Sequence, residues 1–144
     1  MEVPLLIMAT LLAGCAGEHA THGDGPRHLP AQNALGPYSG SVAADDIVFV
    51  SGKIGSAEAR AGSFEDETTS AIDAVGAELA RHGLTLADAV SVTVYLTDIQ
   101  LYATFNGVYD SRFPEPYPAR AVVGVSALPG GARVEISVTA FAGD

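Results

Sequence analysis

The chain has 144 residues, a length that suits one compact domain and leaves little room for two. Hydrophobic residues make up 48% of it, which is too high for a disordered chain. The 17 Asp and Glu residues outnumber the 7 Lys and Arg, giving a formal net charge of −10 that argues against nucleic acid binding. A single Cys excludes a disulfide framework and a Cys-based zinc site.

The first apolar segment of the chain stops at a cysteine. It is shorter than the roughly 18–20 residues that a membrane-spanning helix needs, and its small final residues are typical of a cleaved export signal. The ending Leu12-Ala13-Gly14-Cys15 resembles the bacterial lipobox. We therefore predict a signal peptide over residues 1–14, lipid attachment at Cys15, and a protein that is periplasmic or anchored to the membrane as a lipoprotein.

The N-terminal region also allows a different interpretation. Only Met1 and Glu2 precede the apolar segment, so the positive charge that usually starts an export signal is missing. The alternative is a hydrophobic N-terminus with an ordinary Cys, on a cytoplasmic protein. Residues 15–32 are rich in Gly, Pro and His without apolar periodicity, which predicts a flexible tether. The spacing of the histidines in this tether fits no defined metal site.

Residues 33–144 carry periodic apolar patterns that predict one α+β domain with the order β-β-α-β-α-β-β. Two helices can cover only one face of such a mixed sheet. The other face carries Thr, Tyr, Phe and Ser with little charge, which predicts a homo-oligomer. In chain order we expect an extended segment near Tyr38, a strand over 47–51, a helix from Ser63 to the C-terminal cap Gly83, a strand over 90–97, a helix from Asp98 to Phe113, and strands over 121–125 and 134–141.

Two charged residues occupy unusual positions in these patterns. Arg120 opens an apolar strand, where a guanidinium needs an anion. That anion is either an internal carboxylate or the carboxylate of a small ligand held bidentately. Glu135 lies in mid-strand, opposite in phase to the apolar positions. It either faces solvent, pairs with Arg120 or Arg133, or positions a water molecule.

Familiar catalytic patterns are missing from the sequence. It contains no Gly-x-Ser-x-Gly nucleophile elbow, no P-loop and no glycine-rich dinucleotide-binding turn. Cys15 lies in the predicted signal region, which excludes it as a catalytic nucleophile. His82, at the end of a predicted helix, is more typical of a partner for the helix dipole than of a general base.

Several segments together are similar to the Rid family, the reactive intermediate deaminases of YjgF type. They occur in the family's order and cover roughly residues 33–141. The Pro-Ala-Arg element with the downstream Val-Glu-Ile is the most specific part. The segments are Asn33-Ala34-Leu35-Gly36-Pro37-Tyr38-Ser39, Val48-Phe49-Val50-Ser51-Gly52-Lys53-Ile54, Asn106-Gly107-Val108-Tyr109, Pro118-Ala119-Arg120-Ala121-Val122 and Val134-Glu135-Ile136.

The resemblance implies a chorismate-mutase-like α+β fold that assembles as a homotrimer. In that assembly the helices lie outside, the sheets form a central barrel, and the sites lie in clefts between subunits. The implied reaction is the hydrolysis of 2-imino acids and enamines, such as 2-aminoacrylate, to 2-keto acids and ammonia. It uses no metal and no organic cofactor.

The resemblance also implies roles for individual residues. Arg120 matches the arginine that clamps the substrate carboxylate, and Glu135 matches the glutamate that holds the attacking water. The pocket-lining positions match Tyr38 (from the neighbouring subunit), Ser51, Gly52, Asn106 and Val122.

Two pocket positions depart from the family pattern. Val122 stands where the family usually has Cys, so any contribution of a thiol is lost. Lys53 stands where the family usually has Gln, which adds a positive charge near the mouth of the site. Two hypotheses follow: an imine deaminase, or a non-catalytic trimer, tethered to the membrane, that binds a small carboxylate or a partner protein.

Overall fold

The computed structural model describes residues 25–143, which form a six-stranded sheet with helices on one face. The strands are β1 (Arg27–Pro30), β2 (Ser39–Ala44), β3 (Ile47–Ile54), β4 (Ala89–Leu96), β5 (Ala119–Gly124) and β6 (Val134–Phe141). The helices are α1 (Ala57–Arg60), α2 (Phe64–Ala80) and α3 (Tyr102–Arg112). Within residues 25–143, none of the helices is long and apolar enough to cross a membrane.

The sheet is mixed, as predicted. Its strand order is β1-β2-β3-β6-β4-β5, and β4 and β5 are parallel whereas the other pairs are antiparallel. Alternate side chains of β3, β4 and β6 are buried against α2 and α3, because successive residues of a strand point to opposite faces. The fully buried members of this core include Val48, Ile72, Val75, Leu79, Val94, Leu96, Phe105, Val134 and Ile136.

The ends of α2 match the sequence prediction. Ser63 accepts a hydrogen bond from the backbone N–H of Asp66, whose carboxylate accepts one from the Ser63 backbone N–H in return. Gly83 follows the helix with a φ of +75°, in the left-handed region that favours glycine. Asp98, in contrast, caps a short 3-10 turn at Ile99–Leu101, and α3 starts only at Tyr102. The predicted start of the second helix, with Asp98 as its cap, was therefore three residues early.

Strand β1 corrects the predicted tether. It lies within residues 15–32, and it pairs antiparallel with β2, with Arg27 opposite Ala43 and Leu29 opposite Ser41. The free edge of β2 offers unpaired backbone groups, so a short segment of almost any composition can pair with it. The ordered domain thus starts before Asn33. The predicted signal peptide, Cys15 and the first part of the tether lie outside the described residues.

A buried polar network ties β2 and β3 to α2 through the Glu78 carboxylate. Ser41 Oγ donates to Glu78 Oε1 at 2.7 Å and Lys53 Nζ donates to Oε2 at 2.9 Å. Arg81 Nη1 also donates to Oε1, at 2.7 Å. Burial by itself raises the pKa of Glu78, but the hydrogen bonds from Lys53 and Ser41 outweigh it and leave the pKa below its ordinary value.

His82 belongs to the same network, which changes its interpretation. Its Nδ1 lies 3.2 Å from Arg27 Nη2, and its Nε2 lies 2.8 Å from Ser41 Oγ. Since Arg27 can only donate, Nδ1 is the acceptor and Nε2 carries the proton. Burial, and then the nearby Arg27 charge, lower the pKa of His82. His82 is therefore neutral at neutral pH and forms part of the network. The prediction that it is a charged partner of the helix dipole is wrong.

We predict that His82 makes the fold sensitive to mild acid. Its pKa in the folded state is below the unfolded value of 6.5, so protons bind the unfolded chain more readily. The contribution to stability is present above about pH 6.5 and is lost as the pH falls towards the lowered folded pKa. Melting temperatures measured from pH 7.5 to about 5.5 should fall less steeply in His82→Gln than in the wild type. The exposed His28, replaced by Gln, is the control, and equal slopes in all three proteins would contradict the prediction.

Candidate functional site

Arg120 lies on the helix-covered face of the sheet. In the β4–β5 pairing it is opposite Val92, which belongs to the buried core. Its Nη2 donates to Asn106 Oδ1 at 2.8 Å and more weakly to the Tyr102 hydroxyl at 3.4 Å. Both partners are on α3, so the helix and the edge strand together fix one end of the guanidinium.

The partners of Arg120 are neutral. Within residues 25–143 Arg120 forms no ion pair, so the protomer does not supply the internal carboxylate, and the ligand carboxylate stays a prediction. Its Nε and Nη1 likewise have no hydrogen-bond partner among the described residues. A carboxylate binds a guanidinium in parallel bidentate fashion through Nη2 together with either Nε or Nη1. A ligand carboxylate can therefore take the free donors and replace the weak 3.4 Å contact between Nη2 and Tyr102.

A cavity of about 620 Å³ lies beside this guanidinium. Besides Arg120 it is lined by Tyr109, Tyr117, Pro118 and Gly107, and its other polar members are Asn106 and Asp110. Tyr117 donates a hydrogen bond to Asp110, which raises the pKa of the phenol to about 12 and keeps it protonated. The cavity therefore combines one guanidinium with aromatic and apolar surface, and its single carboxylate, Asp110, is engaged by the Tyr117 hydroxyl. Such a lining suits a small organic acid.

Glu135 lies on the opposite, uncovered face of the sheet. Its neighbours Val134 and Ile136 are fully buried in the core, so the pleat turns Glu135 away from the helices. Its carboxylate lies directly over Gly52, where a Cβ would overlap with Glu135 Oε1. A side chain at position 52 would therefore displace the Glu135 carboxylate from this place. Partial burial raises the pKa of Glu135 above its ordinary value.

Glu135 pairs with neither of the two arginines predicted as its partner, Arg120 and Arg133. Arg133 binds Glu67 instead, through its backbone N–H to Oε1 at 2.7 Å and its Nε to Oε2 at 2.6 Å. Glu67 is only 1% exposed, so this pair joins α2 to the start of β6. Arg120 lies on the other face of the sheet. Glu135 is left without a basic partner among the described residues.

Of the predicted pocket residues of β3, Gly52 is in contact with Glu135, and Ser51 is held by another part of the chain. Ser51 Oγ donates to the backbone carbonyl of Ser39 at 2.7 Å, which joins β3 to the residue that follows Tyr38. Tyr38 and Gly52 line a second cleft, of about 630 Å³. Lys53 also lines this cleft, but its charge is neutralised by Glu78. The extra positive charge expected at the mouth of the site is therefore paired.

The predicted site residues other than Tyr38 thus divide into two groups. The Arg120 group comprises Arg120, Asn106 and Val122, on the helix-covered face and on α3. The Glu135 group comprises Glu135, Gly52 and Ser51, on β6 and β3. Tyr38 belongs to neither group, because it lies in the second cleft, which residues of α2 also line. A single protomer does not bring the two groups to one cavity.

Two functional candidates were missed by sequence reasoning. The rings of Tyr102 and Tyr109 lie 5.9 and 4.5 Å from the guanidinium carbon of Arg120. Their positions, with Asn106, repeat at the spacing of one helix face. That spacing was the available signal, but it indicates only that the side chains share a face and not which charged residue packs against them.

Comparison with known proteins places this chain among well-characterised relatives. Residues 29–142 match the family model described as Endoribonuclease L-PSP. The human 2-iminobutanoate/2-iminopropanoate deaminase is 37% identical over 117 residues, which cover 78% of this chain and 85% of the human protein. A RutC family protein of Pyrococcus horikoshii is 36% identical over 115 residues, covering 77% and 91% of the two chains.

Solved structures show the same fold. RidA from the Antarctic bacterium Psychrobacter matches with a TM-score of 0.70 and 34% identity, covering 79% of this chain and 94% of that one. A member of the YjgF protein family from Neisseria meningitidis matches with a TM-score of 0.73 and 28% identity, covering 83% and 96%. The predicted chorismate-mutase-like α+β fold of the protomer is confirmed.

Proposed function

Because the chain belongs to the Rid family, also described by the names L-PSP and YjgF, we propose that it is a deaminase. Its reaction is the hydrolysis of 2-imino acids and their enamine tautomers to 2-keto acids and ammonia. The observation that carries this proposal is the guanidinium of Arg120, which has free donors and no ion pair among the described residues, beside a cavity of about 620 Å³. A 2-imino acid supplies the carboxylate that this guanidinium lacks.

The chemistry needs orientation more than a strong nucleophile. Arg120 binds the substrate carboxylate and thereby fixes the adjacent C=N carbon. Glu135, ionised above its raised pKa, accepts a hydrogen bond from water and directs the water oxygen at that carbon. As the C–O bond forms, Glu135 takes one proton of the water and passes it to the nitrogen, giving a carbinolamine. The hydroxyl proton of this intermediate then follows to the nitrogen as the C–N bond breaks, which releases ammonia and the keto acid. A protonated imine is already electrophilic, so water placement provides much of the acceleration.

We propose that each site is built from two copies of the chain. The Arg120 group and the Glu135 group face opposite sides of one sheet, so the second group has to come from a neighbouring protomer. The uncovered face supports assembly, since it exposes Phe49 by 50%, Val123 by 43% and Phe141 by 43%. A closed homotrimer, with these faces around a central barrel and the sites between subunits, satisfies both requirements.

The name of the matching family model also raises RNA cleavage, which this chain supports poorly. Only seven Lys and Arg residues oppose 17 acidic ones. Four of the seven are paired with carboxylates: Lys53 and Arg81 with Glu78, Arg133 with Glu67, and Arg112 with Asp73. Too few free cations remain to bind a phosphate backbone.

The competing hypothesis is a non-catalytic trimer that binds a small carboxylate or a partner protein. Val122 stands in place of the usual Cys and leaves the pocket without a thiol. This departure is the observation that favours a non-catalytic protein. Carboxylate binding needs only the Arg120 group, whereas hydrolysis also needs the Glu135 group. Variants of the two groups therefore distinguish binding from turnover.

We predict that Arg120→Ala lowers kcat/KM for imine hydrolysis by about 100-fold, because the substrate loses a bidentate charge-assisted contact. Arg120→Lys should recover only a small part of this, since an ammonium cannot form the planar fork. The assay follows pyruvate release from freshly generated 2-aminoacrylate. Arg112→Ala, at an exposed ion pair with Asp73, is the matched control and should retain activity. Wild-type protein that binds pyruvate through Arg120 but does not release it from the imine would favour the non-catalytic hypothesis.

We predict that two inactive variants restore each other when they share a trimer. Arg120→Ala and Glu135→Gln should each be nearly inactive alone. If every site takes Arg120 from one copy and Glu135 from the next, randomly mixed trimers contain about one quarter intact sites. Co-refolding equal amounts of the two variants should then give about a quarter of wild-type activity. Each variant refolded alone is the control. A mixture no more active than its components would show that one copy supplies both residues.

We also propose that the protein is exported and anchored by lipid at Cys15. The apolar segment and the lipobox-like ending support this proposal. Expressed in a bacterial host, the protein should begin at Cys15 with a diacylglycerol on the sulfur, as measured by mass spectrometry of its N-terminal peptide. Cys15→Ala should lose the lipid and the membrane association. An unprocessed, unmodified N-terminus in the soluble fraction would contradict the proposal and favour a cytoplasmic protein.

A further inference from the structure

We propose that the ring of Tyr109 is a positioning element for the Arg120 guanidinium. The inference rests on the proposed function, because it assigns to α3 the task of holding the carboxylate clamp ready before substrate arrives. Tyr109 acts through Arg120 and does not itself touch the reacting atoms. The observations that carry it are the stacking distance, the state of the Tyr109 hydroxyl and the incomplete hydrogen bonding of Arg120.

The guanidinium lies over an aromatic surface. Its central carbon is 4.5 Å from the Tyr109 ring centroid, and 5.6 and 5.9 Å from the centroids of Phe105 and Tyr102. Tyr109 is thus the nearest ring, well within the range of cation–π attraction. Tyr109 is in turn immobilised by Phe113, whose ring stacks on it at 4.1 Å with an interplanar angle of 12°.

The hydroxyl of Tyr109 is not what holds Arg120. It is buried and has no hydrogen-bond partner among the described residues. Burial also raises the pKa of the phenol, so the group is neutral. A buried hydroxyl without a partner destabilises the fold and does not help it. What Tyr109 offers to Arg120 is therefore the flat face of its ring.

Arg120 needs this ring because its hydrogen bonds hold only one guanidinium nitrogen, Nη2. Asn106 and Tyr102 both bind Nη2, so the guanidinium plane can still tilt about that nitrogen. A ring beneath the guanidinium restricts its plane without using any of its donors and without cancelling its charge. The carboxylate then meets a preorganised fork, and the entropy of ordering a long side chain is not lost at the binding step.

The test compares Tyr109→Leu, which removes the ring, with Tyr109→Phe, which removes only the hydroxyl. The Leu variant should raise KM for 2-aminoacrylate and the Kd for pyruvate by about tenfold each, with a much smaller change in kcat. The Phe variant should restore both constants to near the wild-type values and melt at an equal or higher temperature. Phe64→Leu is the control, since it removes a buried ring that lies 5.8 Å from a different arginine, Arg133. It should lower the melting temperature but leave KM unchanged.

A second measurement does not depend on turnover. In the wild type and in Tyr109→Phe, the Arg120 Nε–H proton should resonate upfield because of the ring current, and in Tyr109→Leu it should return to the usual position. If the Leu variant does not fold, phenylalanine analogues with increasing fluorine content at position 109 should raise the Kd for pyruvate stepwise, because fluorine weakens the cation–π attraction. An unchanged arginine signal, a Phe variant as impaired as the Leu variant, or no trend with fluorine would overturn the inference. Inactive wild-type protein with the expected arginine signals would overturn the proposed function alone.

Discussion

The alternation of side chains along the β-strands is the constraint on which the site depends. Arg120 in β5 and Glu135 in β6 are separated by one strand, β4, yet the pleat directs one towards the helices and the other away from them. Moving either residue by one position would reverse its face and open the core. The protomer therefore carries two half-sites, and assembly is a requirement of the proposed chemistry.

The arrangement of charge explains why Arg120 differs from the other basic residues. Arg133 and Lys53 are neutralised by buried carboxylates, and these pairs join the sheet to α2. Arg120 is held instead by an amide, a hydroxyl and aromatic rings. Neutral partners fix a cation without reducing the field that attracts an anion, whereas a carboxylate partner would compete with the substrate. The pairs of Arg133 and Lys53 thus serve stability, whereas the charge of Arg120 stays available for the carboxylate that we propose as its ligand.

Sequence reasoning succeeded where the signal was local. The capping residues of α2, the left-handed Gly83 and the alternation in β4 and β6 depend on neighbours a few positions away. It was wrong about Arg27–Pro30, because that strand forms through the free edge of β2 and not through its own composition. It was also wrong about His82, whose partners Ser41 and Arg27 are 41 and 55 residues distant.

The amino-acid sequence by itself determined the order of most elements, the α+β class, the family resemblance and the unusual positions of Arg120 and Glu135. Periodicity and motifs carry this information because they act over one turn or one strand. Only the tertiary structure decided which partner each charge has, that Arg120 rests on Tyr109, and that Arg120 and Glu135 face apart. Those outcomes depend on how α3 packs against β5 and how β6 pairs between β3 and β4. Such contacts join distant parts of the chain, and no local pattern encodes them.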